Sequence, residues 1–408
     1  MRFSKFLPIV LVAIIGCGNG INSIDELPRE LSLAEQDLIT ANNRFAFKIF
    51  RELVAQSDPD ENIFISPMSI AMALGMTYNG ARGSTRDSMQ EVLELQGMDI
   101  QAINESYQSL IALLRGLDPK VEFAIANSIW YRTGLPVQQA FIDLTGTYFD
   151  AEVSALDFSA PSAAPTINQW VNENTGGRID EIVESPIDPN LVMYLINAIY
   201  FKGDWAYQFD RAKTHDAPFR RVDGSTSTVD LMDSGEQMPL WLAYDGSSHI
   251  GELRYGGGPW RMTIVLPTAH DALPTVLDGL DETQWNSWIA ALDSTDMSVL
   301  LPKFTMEYEA SLKNMLAALG MGIAFEPGQA DLSGIGGQPG DLYIDQVKHK
   351  TFLEINEEGT EAAAATSVGI GIVSLPPSFR VDRPFFFVIR EALSGSILFM
   401  GRIMDPGV

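Results

Sequence analysis

A single cysteine, Cys17, stands among 408 residues, so no disulfide can form within the chain and packing must hold the fold together. Histidine is almost as scarce. His215, His249, His270 and His349 are the whole set, and none is spaced as in an HExxH helix, which argues against a zinc site. Positive charge is short as well, with 27 Lys and Arg against 53 Asp and Glu for a formal net charge of −26. Such a surface repels phosphate backbones and anionic head groups, which disfavours nucleic acid and heparin-type polyanions as partners. There is no GxSxG elbow to expose a nucleophile. The run Gly334-Ile335-Gly336-Gly337 is no dinucleotide loop, because Leu332-Ser333 before it is no strand and Pro339 spoils the helix that should follow. With no cofactor site and no evident nucleophile, the chain does not read as an enzyme. Linkers, fixed-period repeats and low-complexity blocks are also missing after the first thirty residues, so one large domain is expected.

What is present begins at the N-terminus. Arg2 and Lys5 precede an apolar stretch, Phe6 to Gly16, that has signal-peptide length and is too short to span a bilayer. Ile14-Ile15-Gly16-Cys17 resembles the bacterial lipobox, in which the cysteine is lipidated and becomes the new N-terminus. The expected organisation is a signal peptide over 1–16, a lipidated N-terminus and polar tether over 17–31, and the folded domain over 32–408. From Ser32 the pattern is helical, with Leu33, Leu38, Ala41, Phe45, Ile49 and Leu53 on one face and Ser32 with Glu35 placed as a capping box. Met68 to Tyr78 is apolar on almost every side and predicts a buried helix ended by Gly80, and Ser84 to Glu94 predicts another helix. Val121 to Tyr131, Leu191 to Phe201, Trp260 to Leu266 and Met297 to Leu301 read as strands. Near the end, Pro384 to Ile389 and Ser396 to Met400 read as two fully buried strands with Ser394-Gly395 in the turn. Helices first and strands later make the fold class α+β.

Four separated motifs carry a family resemblance. They are Asn62 to Ile70; Ile167 to Val171 with Thr175 to Ile179; Asn197 to Trp205; and Phe379 to Ile389. Their order and spacing resemble the serpins, the serine protease inhibitors, from about Ser32 to Pro406. The resemblance implies three β-sheets, eight or nine helices and an exposed reactive-centre loop, here 357–377. It also implies an activity without a cofactor. A target protease cleaves the loop, and the acylated loop then enters the main sheet as a new strand, carrying the protease with it.

The loop itself is small and unbranched where insertion requires it. The hinge Glu357, Glu358, Gly359, Thr360, Glu361, Ala362, Ala363, Ala364, Ala365 and Thr366 holds no proline to break a ladder, and Gly359 is the natural pivot. As a strand it would alternate, with Thr360, Ala362, Ala364 and Thr366 on one face. By propensity alone Glu361 to Thr366 is a helix. Family spacing places the reactive bond at Val373-Ser374, with Ile370 or Ile372 as secondary points of cleavage. A β-branched aliphatic on the acyl side suits a shallow apolar pocket, which implies an elastase-like serine protease as covalent target. The resemblance also assigns control of sheet opening to Ser66, Ser69, Asn197, Phe201, Trp205, Lys303 and His349, with Lys303 and Glu357 as an ion pair. Two departures from the pattern are noted: Arg254 before Tyr255, and a turn loosened by Gly256-Gly257-Gly258. The expected protein is a monomer displayed on the bacterial cell envelope, outer membrane favoured, or released outside the cell. The alternatives are a serpin-fold binding or substrate protein that does not trap, and an exported hydrolase.

Overall fold

The computed structural model describes residues 23–188, 191–360 and 378–407. The first helix, Leu33–Gln56, starts as its pattern dictates: Ser32 accepts from the Glu35 backbone while the Glu35 carboxylate returns to the Ser32 N–H. Its apolar stripe, including Leu38, Phe45, Ile49 and Phe50, faces the core. Pro67–Gly80 follows, capped by Ser66 and with proline in its first turn. Every one of its residues is buried, which accounts for a sequence apolar on all sides. Nine α-helices lie among the described residues.

The main sheet runs in the order Phe304–Ser311, Gln346–Ile355, Met193–Asp204, Val121–Arg132, Ala151–Leu156. Phe304–Ser311 shows why it sits at an edge with one dry face: Phe304, Met306, Tyr308 and Ala310 are buried, while Thr305, Glu307, Glu309 and Ser311 are exposed. The remaining strands form two sheets that share one long strand, Asp293–Pro302. Its first half pairs with Met238–Tyr244 and its second with Thr226–Asp233. Only Met297 to Leu301 was expected to be extended. The polar first half, Asp293 to Asp296, lacks the apolar run that marks a strand and is recruited by its neighbour.

The C-terminal pair is Phe385–Glu391 and Ile397–Ile403, antiparallel, joined through Gly395 at φ +80°, and buried at every residue. Trp260–Pro267 flanks it on one side and Ile63–Ile65 on the other. Phe64 stacks on Phe399 at 5.1 Å, and Phe201 of the main sheet reaches the same ring at 6.0 Å. The core therefore lies between the C-terminal strands and the inner face of the main sheet, with Pro67–Gly80 packed against both.

Candidate functional site

The distinctive geometry lies between the strands Gln346–Ile355 and Met193–Asp204. At their lower ends they pair directly and in parallel, from Gln346 opposite Tyr194 to Lys350 opposite Ala198. Above Ala198 they part. The chain leaves Ile355, turns at Asn356, and comes back down so that Gly359 lies opposite Asp204 and Thr360 opposite Gly203, now antiparallel. The first residues of the expected loop thus already sit at the top of the sheet.

Local chemistry makes this turn. Asn356 Oδ1 accepts from the backbone of Glu358 (3.1 Å) and Gly359 (3.2 Å), an arrangement that asparagine side chains favour. Gly359 has φ +152°, and a Cβ there would lie 2.1 Å from the Gly203 carbonyl oxygen and 2.6 Å from Asp204 Cα. Glycine is required by close backbone approach as well as by conformational freedom. Trp205 clamps the turn twice, its backbone N–H donating to Glu358 O (2.7 Å) and its indole Nε1 to Asn356 O (2.9 Å), while its ring stacks on Tyr255 at 4.3 Å.

Two carboxylates on the turn are buried and paired. Glu357 accepts from Lys303 Nζ at 3.2 Å and from Thr214 Oγ1 at 2.8 Å. Burial alone would raise its pKa, but these donors together with a backbone N–H hold it below the usual carboxylate range. Glu358 accepts from Arg211 at 2.6 Å. Arg211 and Thr214, which flank one short 3₁₀ turn, and Asn356 had no motif to mark them. The only signal was the adjacency of Asn356 to two acids and a glycine. Phe201 makes no ring contact with Trp205 itself among the described residues but packs against Tyr255, the ring on which Trp205 stacks, and against Trp260 and Phe399 in the core. It supports the sheet from beneath. The three glycines after Tyr255 do not loosen their turn either: Gly257 N–H donates to the buried Asp118 carboxylate at 2.6 Å, and a Cβ on Gly256 (φ +51°) would lie 2.3 Å from the same group.

Beneath the zipped half lies a polar row. Asn197 stands opposite both His349 and Asn127 in register, and its Nδ2 donates to Asn127 Oδ1 at 2.6 Å. His349 Nε2 accepts from the Ser66 N–H at 3.0 Å, and Ser66 Oγ donates to Leu398 O at 2.7 Å. Ser66, Ser69, Asn197 and His349 are thus brought together, with Asn127 added. Three of their atoms have no partner among the described residues: Ser69 Oγ, Asn197 Oδ1 and His349 Nδ1. Since Nε2 accepts, the proton of the neutral ring is on Nδ1, and complete burial pulls the pKa of His349 down to about 3. Buried polar atoms seldom go unpaired. Here they line the seam at which the two strands would have to separate.

The model of the family Serpin (serine protease inhibitor) matches residues 40–406. The chain is a serpin. Leukocyte elastase inhibitor of Bos taurus is 37% identical over 382 residues, covering 91% of this chain and 100% of that protein. The Homo sapiens protein of the same name is 35% identical over the same share of each. Among solved structures, the thermophilic serpin tengpin in its native state superposes with a TM-score of 0.82 at 30% identity, covering 94% of this chain and 97% of its own. Human thyroxine-binding globulin complexed with thyroxine reaches 0.83 at 29%, with 91% and 99% covered. Of the serpin residues expected from sequence, Lys303, Glu357 and Trp205 meet at the top of the sheet and Ser66, Ser69, Asn197 and His349 meet below it. Cys17, hinge residues 361–366, Ile370, Ile372 and the bond Val373-Ser374 lie outside the described residues.

Proposed function

We propose that this serpin inhibits an elastase-like serine protease by offering Val373-Ser374 for cleavage and then inserting the hinge into its main sheet. One observation carries the reading: Gly359–Thr360 is already registered beside Asp204 and Gly203, at the mouth of a gap whose lower half is held shut by a few residue pairs. Continuing that register sets Glu361 opposite Lys202, the alanines opposite Phe201 to Ala198, and Thr366 opposite Asn197. Thr366 then brings a hydroxyl to the row in which Asn197 Oδ1 and His349 Nδ1 lack partners among the described residues. Ile370 falls opposite Met193, where the strand ends, so insertion of the hinge fills it from end to end.

The chemistry is that of an interrupted proteolysis. The protease serine oxygen bonds to the Val373 carbonyl carbon and the Val373-Ser374 C–N bond breaks. The serine proton passes to the departing Ser374 amine, and Val373 remains as an ester on the protease. Insertion of about twelve residues at ~3.3 Å each moves that ester roughly 40 Å. The new strand adds backbone hydrogen bonds worth ~1 kcal/mol each, so a dozen yield on the order of 10 kcal/mol to distort the attached enzyme. The protein supplies no catalytic group of its own. The elastase preference rests on Val373 and on the relatives' names.

The remainder of the proposal concerns location. Residues 1–16 act as an export signal, Cys17 as the lipidated residue of a bacterial lipoprotein-type serpin, and 17–31 as the tether of a monomer held at the cell envelope, outer membrane favoured. Mass spectrometry of the mature N-terminus tests this part.

Incubation with an elastase tests the inhibition. The expected product is a covalent complex that survives denaturant, and Val373→Arg shifts trapping to a trypsin-like enzyme. Loop cleavage without a complex would mark a substrate-type or binding serpin, and an uncut loop would overturn the assignment altogether.

A further inference from the structure

Away from the loop, a cavity of about 700 Å³ opens between the last turns of Leu33–Gln56, the short helix Leu273–Asp278 and the final strand Ile397–Ile403. Small-molecule sites typically enclose roughly 300–1,000 Å³. Val54, Leu277 and Leu319 give it an apolar wall, and Lys48, Arg51 and Arg402 give it a cationic one.

Arg402 is the unusual member. It is only 4% exposed, yet it forms no ion pair among the described residues. Its Nε and Nη2 donate to the backbone carbonyls of Asp58 and Glu61 at 2.7–3.0 Å, and its Nη1 has no acceptor among the described residues. A desolvated guanidinium facing neutral acceptors is costly to keep, and a carboxylate is its natural complement. The acids nearby are placed otherwise. Asp58, Asp60 and Glu61 act on it only through space, Glu52 accepts from Gln56, and Glu94 is engaged by Lys48. Asp278 contributes one more negative charge to the lining.

We infer that this cavity binds a monoanionic amphiphile: a carboxylate taking the spare donor of Arg402 beside Arg51, with an apolar tail along Val54, Leu277 and Leu319. The surrounding acids select against multiply charged ligands and leave room for a single charge whose tail supplies most of the affinity. This site is independent of loop insertion.

Dodecanoate is the probe, added to the purified protein and followed by calorimetry and thermal melting. Saturable binding with a raised melting temperature is expected, and dodecanol and dodecylamine should bind at least about tenfold more weakly, a difference of roughly 1.4 kcal/mol. Leu319→Trp, which fills the cavity while leaving the Arg402 hydrogen bonds in place, should abolish binding, and the exposed Arg51→Glu should weaken it about tenfold. Both variants should still react with protease. If Leu319→Trp does not fold, Arg51→Glu decides. Absence of saturable binding, equal binding of dodecanol, or unchanged binding in Arg51→Glu would overturn the inference.

Discussion

In the sheet built around Phe385–Glu391 each inner strand has a neighbour on both sides, and its buried Glu252 accepts from Arg390 at 2.6 Å, Arg261 at 2.6 Å and Thr263 at 2.8 Å. In the main sheet, Gln346–Ile355 and Met193–Asp204 are joined along half their length, and three buried polar atoms beneath the seam have no partner among the described residues. Both sheets carry buried polar atoms with no partner among the described residues, Arg254 Nε and Trp260 Nε1 in the first and Asn197 Oδ1 and His349 Nδ1 in the second, but only those of the second stand at a seam that is paired along part of its length. The interrupted backbone pairing of Gln346–Ile355 with Met193–Asp204 coincides with the place where another strand fits, which is what a molecule that gains stability by insertion requires.

The comparison can be broken most severely at the turn that keeps the gap from filling early. Glu357→Lys removes the partner of Lys303 and Thr214 and puts a second cation beside the first, at a cost of about 2 kcal/mol once the partial exposure of Lys303 is allowed for. The expected result is chain-to-chain polymerisation on mild warming, read by size-exclusion chromatography. A monomeric, fully active variant would refute the role of the pair.

A smaller effect follows from His349. Its ordinary pKa is near 6.5 and the fold holds it at about 3, so the unfolded chain takes up a proton that the native state refuses. The stability that depends on the neutral ring is fully present above pH 6.5 and drains away as pH falls toward 3, by at most about 1.4 kcal/mol per pH unit. His349→Gln should flatten the fall in melting temperature between pH 6.5 and 5. An unchanged slope would show that other groups set it.

The mildest change sharpens the contrast between the sheets. Ser69→Ala deletes an orphaned hydroxyl while its backbone N–H still donates to Ser66 Oγ, so the uncleaved protein should gain about 1 kcal/mol. Melting temperature should rise and the yield of trapped protease should fall. A drop in stability would mean that Ser69 Oγ has a partner after all.

Much of the fold was legible because burial leaves periodic marks. Leu38 to Leu53 at helical spacing, the uniformly apolar Met68 to Tyr78, and Phe385 to Ile389 each have one arrangement that keeps them dry. The site was legible only where a motif carried it. Lys303, Glu357, Trp205 and His349 sit within strongly patterned segments, whereas Arg211, Thr214, Asn356 and Asn127 act through distances that arise only when remote segments meet. Thr214 lies 143 residues from Glu357 in the chain and 2.8 Å away in space. The early antiparallel pairing of Gly359–Thr360 was not legible either, since alanine-rich sequence after it favours helix until a sheet edge is offered.

Downstream of the loop, Ser378–Arg380 lies parallel to Ser298–Leu300, and the chain then runs into two strands that are buried at every residue. A cut at Val373-Ser374 would therefore divide the polypeptide without dividing the particle, because residues 378–407 remain woven through the centre. No exchange with fresh chain can renew them. Each molecule is in this sense single-use, and its supply must be matched by synthesis.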